Sequence, residues 1–416
     1  MKHIRRIALA LIAWLLVAGP AEAGSRVIVS ATLNSTLQFF DSVDLHQLQP
    51  PLVSRGGGPV RLWIEKIDGK NYLLTANHGG PIGSLGAFDL STLPIVTEVA
   101  LSPFPARPGS VGVVAGPVTL GGVTVPMAFV TNTWFALGGC SMPAGSVTGY
   151  DLSLLSTVGL ATPIDTKDVS GPIPYAVALA GGEAKAFVSN NCARKLDVID
   201  IGRAAGVPAE APVGARFTMT KGLSGDLDAG PDGSLYDADR DLVYTVNIGA
   251  GTVTVSSPVD GSRLTTIALA RPKGENPGPI DANLGETQGG RSILVTSNGG
   301  DDSVSVIDRD LVRQCVLGAA PSCPEAEIAH IATAVSGGAP EGIDFDPATN
   351  RIFTVNKTIL DPSLSVIQLC EPGTAIECPG GAGIGGEDFR QIPIAAIDAA
   401  APVPALIAFD VAVEKN

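Results

Sequence analysis

The sequence predicts an all-β fold, a seven-bladed β-propeller of four-stranded blades. One strand phrase recurs along the chain, and the C-terminal segment supplies a strand that the first copy lacks. The composition agrees, because Gly (50 residues) and Pro (32) are abundant while charged residues make up only 16%. Such a composition suits short strands joined by tight turns.

The recurring phrase is an apolar strand that ends in Asn, followed by a second apolar strand that often ends in Asp. The Asn anchors, with Ala in the first copy, are Ala31, Asn77, Asn132, Asn190, Asn247, Asn298 and Asn356. They lie 46 to 58 residues apart, which fits a four-stranded blade with variable loops. An Asn at a strand end usually bonds nearby backbone in a turn, so a structural role is favoured over ligand binding.

A leading proline introduces the innermost strand of each blade. These residues are Pro59, Pro108, Pro174, Pro231, Pro279 and Pro340. The first copy starts at its second strand, and residues 404–410 align without a gap with residues 340–346. We therefore predict that residues 405–411 pair beside residues 26–31, complete the first blade and close the ring.

Residues 1–23 have the features of a secretory signal peptide. Lys2, Arg5 and Arg6 precede a run of twelve apolar residues, and Ala21-Glu22-Ala23 offers small residues for cleavage before Gly24. Twelve residues are too few to cross a hydrocarbon core of about 30 Å. We expect an exported protein, periplasmic or extracellular, with residues 24–416 forming one propeller domain.

Charge limits the classes of partner. The chain carries −14, and residues 1–23 hold three basic residues and Glu22, so the remainder carries −16. An acidic surface repels phosphate backbones and anionic lipids, which argues against nucleic acid and membrane surfaces as partners. No second membrane span is expected. We expect a monomer whose partner is a small molecule or protein at one face of the ring.

The cysteines predict three disulfides, because all six lie in the exported part. Six cysteines allow fifteen pairings, but their positions in the repeats favour one set. The first bridge joins loops of consecutive blades, and the other two close local connections after third strands. The pairs are Cys140–Cys192, Cys315–Cys323 and Cys370–Cys378.

The strand phrases of residues 190–200 and 298–308 resemble the YVTN-repeat β-propeller family. In that family a Val-Thr-Asn strand end leads to a Val-Ser-Val-Ile-Asp strand, as in residues 304–308 here. The resemblance covers nearly all of residues 26–413, and the second and third copies depart from it most. It implies the propeller fold, but such propellers serve as binding proteins, surface proteins and enzymes, and some open sugar lactones.

The residues after the leading prolines should surround the mouth of the central channel. They are Ala405, Val60, Gly109, Tyr175, Asp232, Ile280 and Glu341. Asp232 and Glu341 are candidate Ca²⁺ ligands, since this ion favours oxygen ligands. Alternatively, each carboxylate accepts hydrogen bonds from turn amides. Further oxygens could come from Asp226, Asp228, Asp281 and Asn283.

Two more residues should face the same mouth, since each follows an anchor. His78 is a candidate general base or metal ligand, with a solvated loop histidine as the alternative. Lys357 occupies the equivalent place in the seventh copy and could attract an anionic ligand. The expected ligand site therefore comprises Asp232, Glu341, Tyr175, His78 and Lys357.

Two hypotheses for the function follow. The first is a non-enzymatic exported propeller that binds a ligand or protein through its mouth, because the sequence lacks a recognisable catalytic motif. The alternative is a metal-assisted hydrolase of sugar lactones or related esters, in which Glu341, Asp232, His78 and Asn residues converge. A surface or redox-accessory role is less favoured, since nothing in the sequence suggests haem or copper ligands.

Overall fold

The protein is a seven-bladed β-propeller, as seen in a computed structural model. The residues it describes are 25–32, 34–78, 83–91, 97–103, 109–133, 139–207, 217–272, 274–335, 337–357, 362–376, 378, 383–394 and 408–415. They form seven antiparallel four-stranded sheets, which confirms the predicted fold class. The proposed signal peptide lies outside the described residues.

Each blade consists of an inner, a second, a third and an outer strand. The inner strands line the central channel: β28 (Ala408–Glu414), β4 (Pro59–Ile67), β8 (Ser110–Leu120), β12 (Pro174–Ala180), β16 (Pro231–Asp237), β20 (Pro279–Glu286) and β24 (Pro340–Asp346). The second strands are β1 (Arg26–Ala31), β5 (Lys70–Asn77), β9 (Val123–Asn132), β13 (Lys185–Asn190), β17 (Leu242–Asn247), β21 (Ser292–Asn298) and β25 (Arg351–Asn356).

The third and outer strands complete the blades. The third strands are β2 (Thr36–Asp41), β6 (Ser84–Asp89), β10 (Ser146–Asp151), β14 (Lys195–Arg203), β18 (Thr252–Ser256), β22 (Ser303–Asp308) and β26 (Ser363–Cys370). The outer strands are β3 (Gln47–Val53), β7 (Thr97–Pro103), β11 (Thr162–Asp168), β15 (Phe217–Asp226), β19 (Arg263–Ala268), β23 (Glu327–Ala332) and β27 (Gly385–Pro393).

Short helices occupy some of the connections. The α-helices are Leu155–Val158 and Arg309–Leu317, and the 3₁₀ turns are Gly139–Ser141, Gly181–Glu183 and Pro324–Ala326. Within the described ranges, no helix combines the length and apolar character needed to cross a bilayer.

The hydrophobic core lies between the faces of neighbouring blades. One cluster joins Leu74 of the second blade to Val130 of the third, and another joins Val29 of the first blade to Phe353 of the seventh. Because both faces of most second and third strands are covered, these strands are buried almost throughout. The ring is therefore held together by apolar contacts between successive sheets.

The C-terminal strand β28 closes the ring by pairing with β1 inside the first blade, as predicted. Its register differs from the predicted alignment, since Ala31 pairs with Ala408 and Ser30 with Asp410. Asp410 therefore lies near the start of its strand and does not correspond to Asp346 at the end of β24. A displacement of four residues preserves the alternation of the two strand faces, so sequence similarity alone did not reveal it.

The Asn anchors have the structural role that was favoured, but five of the six bond hydroxyl groups of the third strand, which differs from the predicted bonds to turn backbone. Asn298 donates to the hydroxyls of Ser303 and Ser305 at 3.0 and 2.8 Å, and Asn356 does the same with Ser363 and Ser365. All six anchors are buried. They tie the end of the second strand to its surroundings within the blade.

All three disulfides form with the predicted pairing. Cys140 in the long loop of the third blade bonds to Cys192 in the fourth, with a Cα–Cα distance of 5.4 Å. The Cys315–Cys323 and Cys370–Cys378 bridges each span eight positions between a third and an outer strand. Disulfides persist in oxidising compartments, so they are consistent with a protein that leaves the cytoplasm.

Candidate functional site at the channel mouth

The channel mouth is the end of the ring where the inner strands begin and the second strands end. There the leading proline pairs with the Asn anchor, as Pro231 does with Asn247 and Pro340 with Asn356. A β-bulge follows each of these pairs. Such a bulge redirects the next side chains, and here it precedes the residues that meet around the channel.

Two residues of the predicted mouth differ in the structure. In the third blade Ser110 pairs with Asn132, so Val111 takes the place predicted for Gly109. Pro108 and Ala405 lie outside the described residues, and Ala408 is the residue that pairs with Ala31. Phe409 therefore takes the place predicted for Ala405.

Arg61, which the sequence analysis missed, lies at the centre of the mouth. Its guanidinium is 2.7 Å from Asp281 of the sixth blade and 3.7 Å from both Asp232 of the fifth and Asp410 of the first. Only 12% of the Arg61 side chain is exposed. A side chain of the second blade thus reaches across the channel to the opposite side of the ring.

Small residues make room for this arrangement. Arg61, Asp281 and Asp410 share one position, two residues after the start of their inner strands, and Gly233 and Gly342 occupy it in other blades. A Cβ at Gly342 would lie 2.2 Å from Asp410 Oδ1, and one at Gly233 would lie 2.9 Å from Asp281 Oδ1. The carboxylates can reach Arg61 only because these neighbours lack side chains.

Glu341 and Lys357 form a second ion pair at the mouth. Lys357 Nζ lies 3.0 Å from Glu341 Oε1 and 3.9 Å from the centre of the Phe409 ring. The ammonium group is therefore already neutralised, which weakens the expectation that Lys357 attracts an anionic ligand. We call the set Arg61, Asp232, Asp281, Glu341, Lys357 and Asp410 the mouth cluster.

Three buried atoms of the mouth cluster have no hydrogen-bond partner within the described part of the chain. They are Asp232 Oδ1, Glu341 Oε2 and Arg61 Nη1, although Nη1 is ion-paired with Asp281. Asp232 is only 4% exposed. Buried polar atoms are normally satisfied, so three such atoms without hydrogen-bond partners at one place favour a polar ligand.

Burial also changes the protonation of the carboxyl groups. It raises the pKa of Asp232 to about 8, although Arg61 opposes this shift. Burial likewise raises the pKa values of Asp281, Glu341 and Asp410, against the effect of Arg61 or Lys357. Asp410 accepts from the Leu62 and Val411 amides at 2.7 and 2.9 Å. These bonds favour its charged form, whereas Asp232 Oδ1 has none.

The pKa of Arg61 moves in the opposite direction. Burial alone would lower it, but Asp281, Asp410 and Asp232 raise it above its ordinary value. The guanidinium is therefore charged at every accessible pH. We assign its ionised partner to Asp281, the closest carboxylate, and the retained proton at neutral pH to Asp232.

Tyr175 and His78 occupy other parts of the mouth. Burial raises the pKa of Tyr175, and the charges of Asp232 and Glu341 add to the shift, which places the phenol near both carboxylates. A side chain at Gly109 would collide with the His78 ring, so His78 packs against the third blade. Burial lowers the pKa of His78, so its imidazole is neutral at pH 7.

The four further oxygen ligands considered from the sequence differ from one another in their surroundings. They are Asp226, Asp228, Asp281 and Asn283. Asp226 is exposed and pairs with Lys195, and Asp228 pairs with Arg263 at 2.8 Å. Asn283 lies deeper in the channel, which has a volume of about 1050 Å³. Of these four residues, only Asp281 belongs to the mouth cluster.

The cluster does not have the form of a Ca²⁺ site. Arg61 lies among three of its carboxylates, and Lys357 occupies one oxygen of the fourth, Glu341. A divalent cation bound here would adjoin two resident cations, which Coulomb repulsion disfavours strongly in a buried site. The predicted pair Asp232 and Glu341 therefore does not fit this ion.

No protein-family model and no curated protein sequence matches the chain. Among solved structures, it is similar to a periplasmic gluconolactonase of Pseudomonas aeruginosa. The identity is 16% over 94% of this chain and 99% of that chain, with a TM-score of 0.63. A Lactobacillus plantarum protein has 11% identity, the same coverages and a TM-score of 0.61. A Desulfotomaculum acetoxidans protein of unknown function has 11% identity over 82% and 92% of the two chains, with a TM-score of 0.56. At such identities the similarity shows the fold alone.

Proposed function

We propose that the protein binds a small polyhydroxylated molecule at the channel mouth and hydrolyses it when it carries a lactone ring. The observation behind this proposal is a set of three buried atoms without a hydrogen-bond partner among the described residues, Asp232 Oδ1, Glu341 Oε2 and Arg61 Nη1. Glu341 Oε2 can accept from a hydroxyl group, the protonated Asp232 carboxyl can donate to the ring oxygen, and Arg61 Nη1 can donate to the carbonyl oxygen of a sugar lactone. The periplasmic gluconolactonase with the same fold adds support, as does the resemblance of the strand phrases to YVTN repeats.

The hydrolysis needs a base, an acid and a group that polarises the carbonyl. Glu341 Oε2 accepts a proton from water as the water oxygen bonds to the lactone carbonyl carbon. Arg61 Nη1 stabilises the negative charge on the carbonyl oxygen. Asp232, protonated at neutral pH, donates its proton to the ring oxygen as the carbon–oxygen bond breaks. The product is the open-chain hydroxy acid.

The charges of the site favour an uncharged substrate. With Asp232 protonated, three carboxylates face two cations, and both cations are ion-paired within the described residues. A phosphorylated lactone would bring further negative charge to a buried acidic site, which is unfavourable. The substrate class that fits is therefore a neutral, hydroxylated lactone.

Turnover of a lactone panel tests this function, with neutral and phosphorylated sugar lactones compared. We expect Asp232→Asn and Glu341→Gln to reduce kcat/KM by about 10²-fold or more, the usual contribution of an acid or base. Asp226→Asn is the matched control, because Asp226 is exposed and pairs with Lys195 outside the mouth cluster. Equal activity of all three variants and wild type would contradict the proposal.

A binding protein without turnover is the second candidate. The ion pairs within the mouth cluster favour a binding protein. A catalytic group that is already ion-paired must first leave its partner before it can act on a substrate. Titration with open-chain sugar acids and polyols separates the two functions. Binding that depends on Asp232 and Glu341, without hydrolysis of any lactone, would support the binding protein.

Export forms part of the same proposal. The three disulfides indicate an oxidising compartment, and the related fold named above comes from a periplasmic protein. Residues 1–23 then act as a cleaved signal peptide. N-terminal sequencing of the exported protein should begin at Gly24, and an uncleaved chain retained in the cytoplasm would contradict this part.

A further inference from the structure

We infer that Arg61 is the built-in cationic centre of the mouth cluster and supplies the positive charge that these carboxylates would otherwise require from a divalent metal ion. This assignment concerns the cation of the site and does not depend on which molecule binds there. Only the ligand measurement at the end rests on the proposed function.

The geometry around Arg61 is that of a cation surrounded by acidic ligands. Carboxylates from the fifth, sixth and first blades converge on one guanidinium, at 3.7, 2.7 and 3.7 Å. Oxygens supplied by three separate blades are also what a hard divalent cation requires. Here the positive charge comes from the second blade itself.

The residues around Asp281 and Asp410 fix the positions of these carboxylates next to Arg61. The Leu62 and Val411 amides hold both oxygens of Asp410, and the missing side chains of Gly233 and Gly342 let Asp281 and Asp410 approach. The guanidinium is planar and directional, so a support of this kind determines where its N–H groups point. The ion pair with Asp281 and the supports of Asp410 therefore fix the position of Arg61 Nη1 at the mouth.

The balance of charge explains why removal of Arg61 should create a cation site. With Arg61 present, Lys357 and Arg61 face Asp232, Asp281, Asp410 and Glu341. Without it, three buried carboxylates lose their common partner. Uncompensated buried carboxylates are costly, so they should take up protons or another cation.

Two substitutions and a control test the assignment. Arg61→Ala removes the guanidinium, Arg61→Lys keeps a charge without the planar fork, and Arg263→Ala removes a partly exposed partner of Asp228. Each protein is treated with EDTA, dialysed, and titrated with Ca²⁺ and Mn²⁺ by calorimetry. Melting temperatures are then measured with Ca²⁺, with guanidinium chloride below denaturing concentrations, and with sodium chloride at equal ionic strength.

We expect the wild type to bind neither ion at the mouth and to keep its melting temperature after EDTA. Arg61→Ala should melt roughly 5 °C lower or more. Guanidinium and Ca²⁺ should restore part of this loss, whereas sodium should not. Arg263→Ala should change little and show no rescue.

Several results would overturn the assignment. One is a wild type that binds one Ca²⁺ with an affinity that Asp232→Asn abolishes. Another is an Arg61→Ala protein that is neither destabilised nor responsive to cations. If Arg61→Ala does not fold, the wild-type titration and the Arg61→Lys variant decide the matter, because Arg61→Lys should fold and remain metal-free.

The ligand measurement separates this inference from the proposed function. If EDTA-treated wild type hydrolyses a lactone at an unchanged rate, both stand. If no lactone is hydrolysed but the metal titrations give the expected results, the proposed function fails and the role of Arg61 stands. If activity appears only with added Ca²⁺, the function stands and the role of Arg61 is wrong.

Discussion

Arg61 and Asp232 lie 3.7 Å apart, although they belong to the second and fifth blades on opposite sides of the ring. Contacts between side chains of opposed blades are separate from the apolar packing that joins each blade to its neighbours. The contact between Arg61 and Asp232 therefore links the protonation of the mouth cluster to the stability of the whole ring. Changes of protonation at the mouth should be measurable as changes in the free energy of unfolding.

The first prediction concerns Asp232 and pH. Its pKa is about 8 in the folded protein and close to 3.8 in the unfolded chain. The folded state then holds a proton that the unfolded state has lost, so the contribution of this group to stability falls as pH rises from about 4 to about 8. The unfolding free energy of wild type relative to Asp232→Asn should decrease over this window, as measured by denaturant unfolding.

Asp226→Asn serves as the control for the pH series, because Asp226 is exposed and paired with Lys195. Its difference from wild type should stay small between pH 4 and pH 8. If the Asp232→Asn difference were also independent of pH, the proton would not reside on Asp232.

The second prediction concerns His330 in the outer strand of the sixth blade. Burial alone would lower its pKa, but hydrogen bonds to Asp301 and Glu327 raise it to about 9. The unfolded value is near 6.5, so this stabilisation is complete below pH 6.5 and is lost as pH rises through 9. His330→Gln should remove this alkaline loss. A wild type and variant with parallel stability curves between pH 6.5 and 9 would contradict it.

The third prediction compares the disulfides. The Cys140–Cys192 bridge spans 52 positions and the other two span eight. In the loop-entropy model, the long bridge stabilises by about 4 kcal/mol and each short one by about 2.5 kcal/mol. Denaturant unfolding of paired Cys→Ser variants should give losses in this order. A larger loss for Cys370→Ser/Cys378→Ser than for Cys140→Ser/Cys192→Ser would contradict the order.

The fourth prediction concerns the closing strand. Deletion of residues 408–416 exposes the edge of β1 and removes Asp410 from Arg61. The truncated chain should aggregate, because an unpaired strand edge recruits other chains. Size-exclusion chromatography measures this, and a synthetic peptide of residues 404–416 added during refolding should restore the monomer. A soluble, unaided truncated monomer would be the contrary result.

The seven blades and the disulfide pairing could be predicted from the sequence because each blade of a propeller repeats the same strand pattern. Each blade carries the same strand ends, so the Asn anchors and the cysteines could be placed by comparison among copies. The register of β28 could not be predicted in this way. A strand with alternating buried and exposed residues aligns equally well with another when it is displaced by two or four residues. That displacement hid the correspondence of Asp410 with Arg61 and Asp281.

The site was predicted less completely, for a reason that lies in the bulges. The predicted mouth residues were those directly after the leading prolines, and they include Asp232, Tyr175 and Glu341. The side chains that meet at the centre, Arg61 and Asp281, come one residue later. One signal was present in the sequence: Arg61 is the single basic residue at the second position after the leading prolines.

The position of Asp410 in the last strand determines when the site can exist during synthesis. During synthesis the ribosome releases Arg61 early, whereas Asp410 and the other residues of the C-terminal strand β28 follow much later. Until those residues arrive, the first blade lacks its inner strand and Arg61 lacks one of its three carboxylates. A chain made only as far as the seventh blade therefore lacks a complete mouth cluster, so closure of the ring and completion of the cluster coincide.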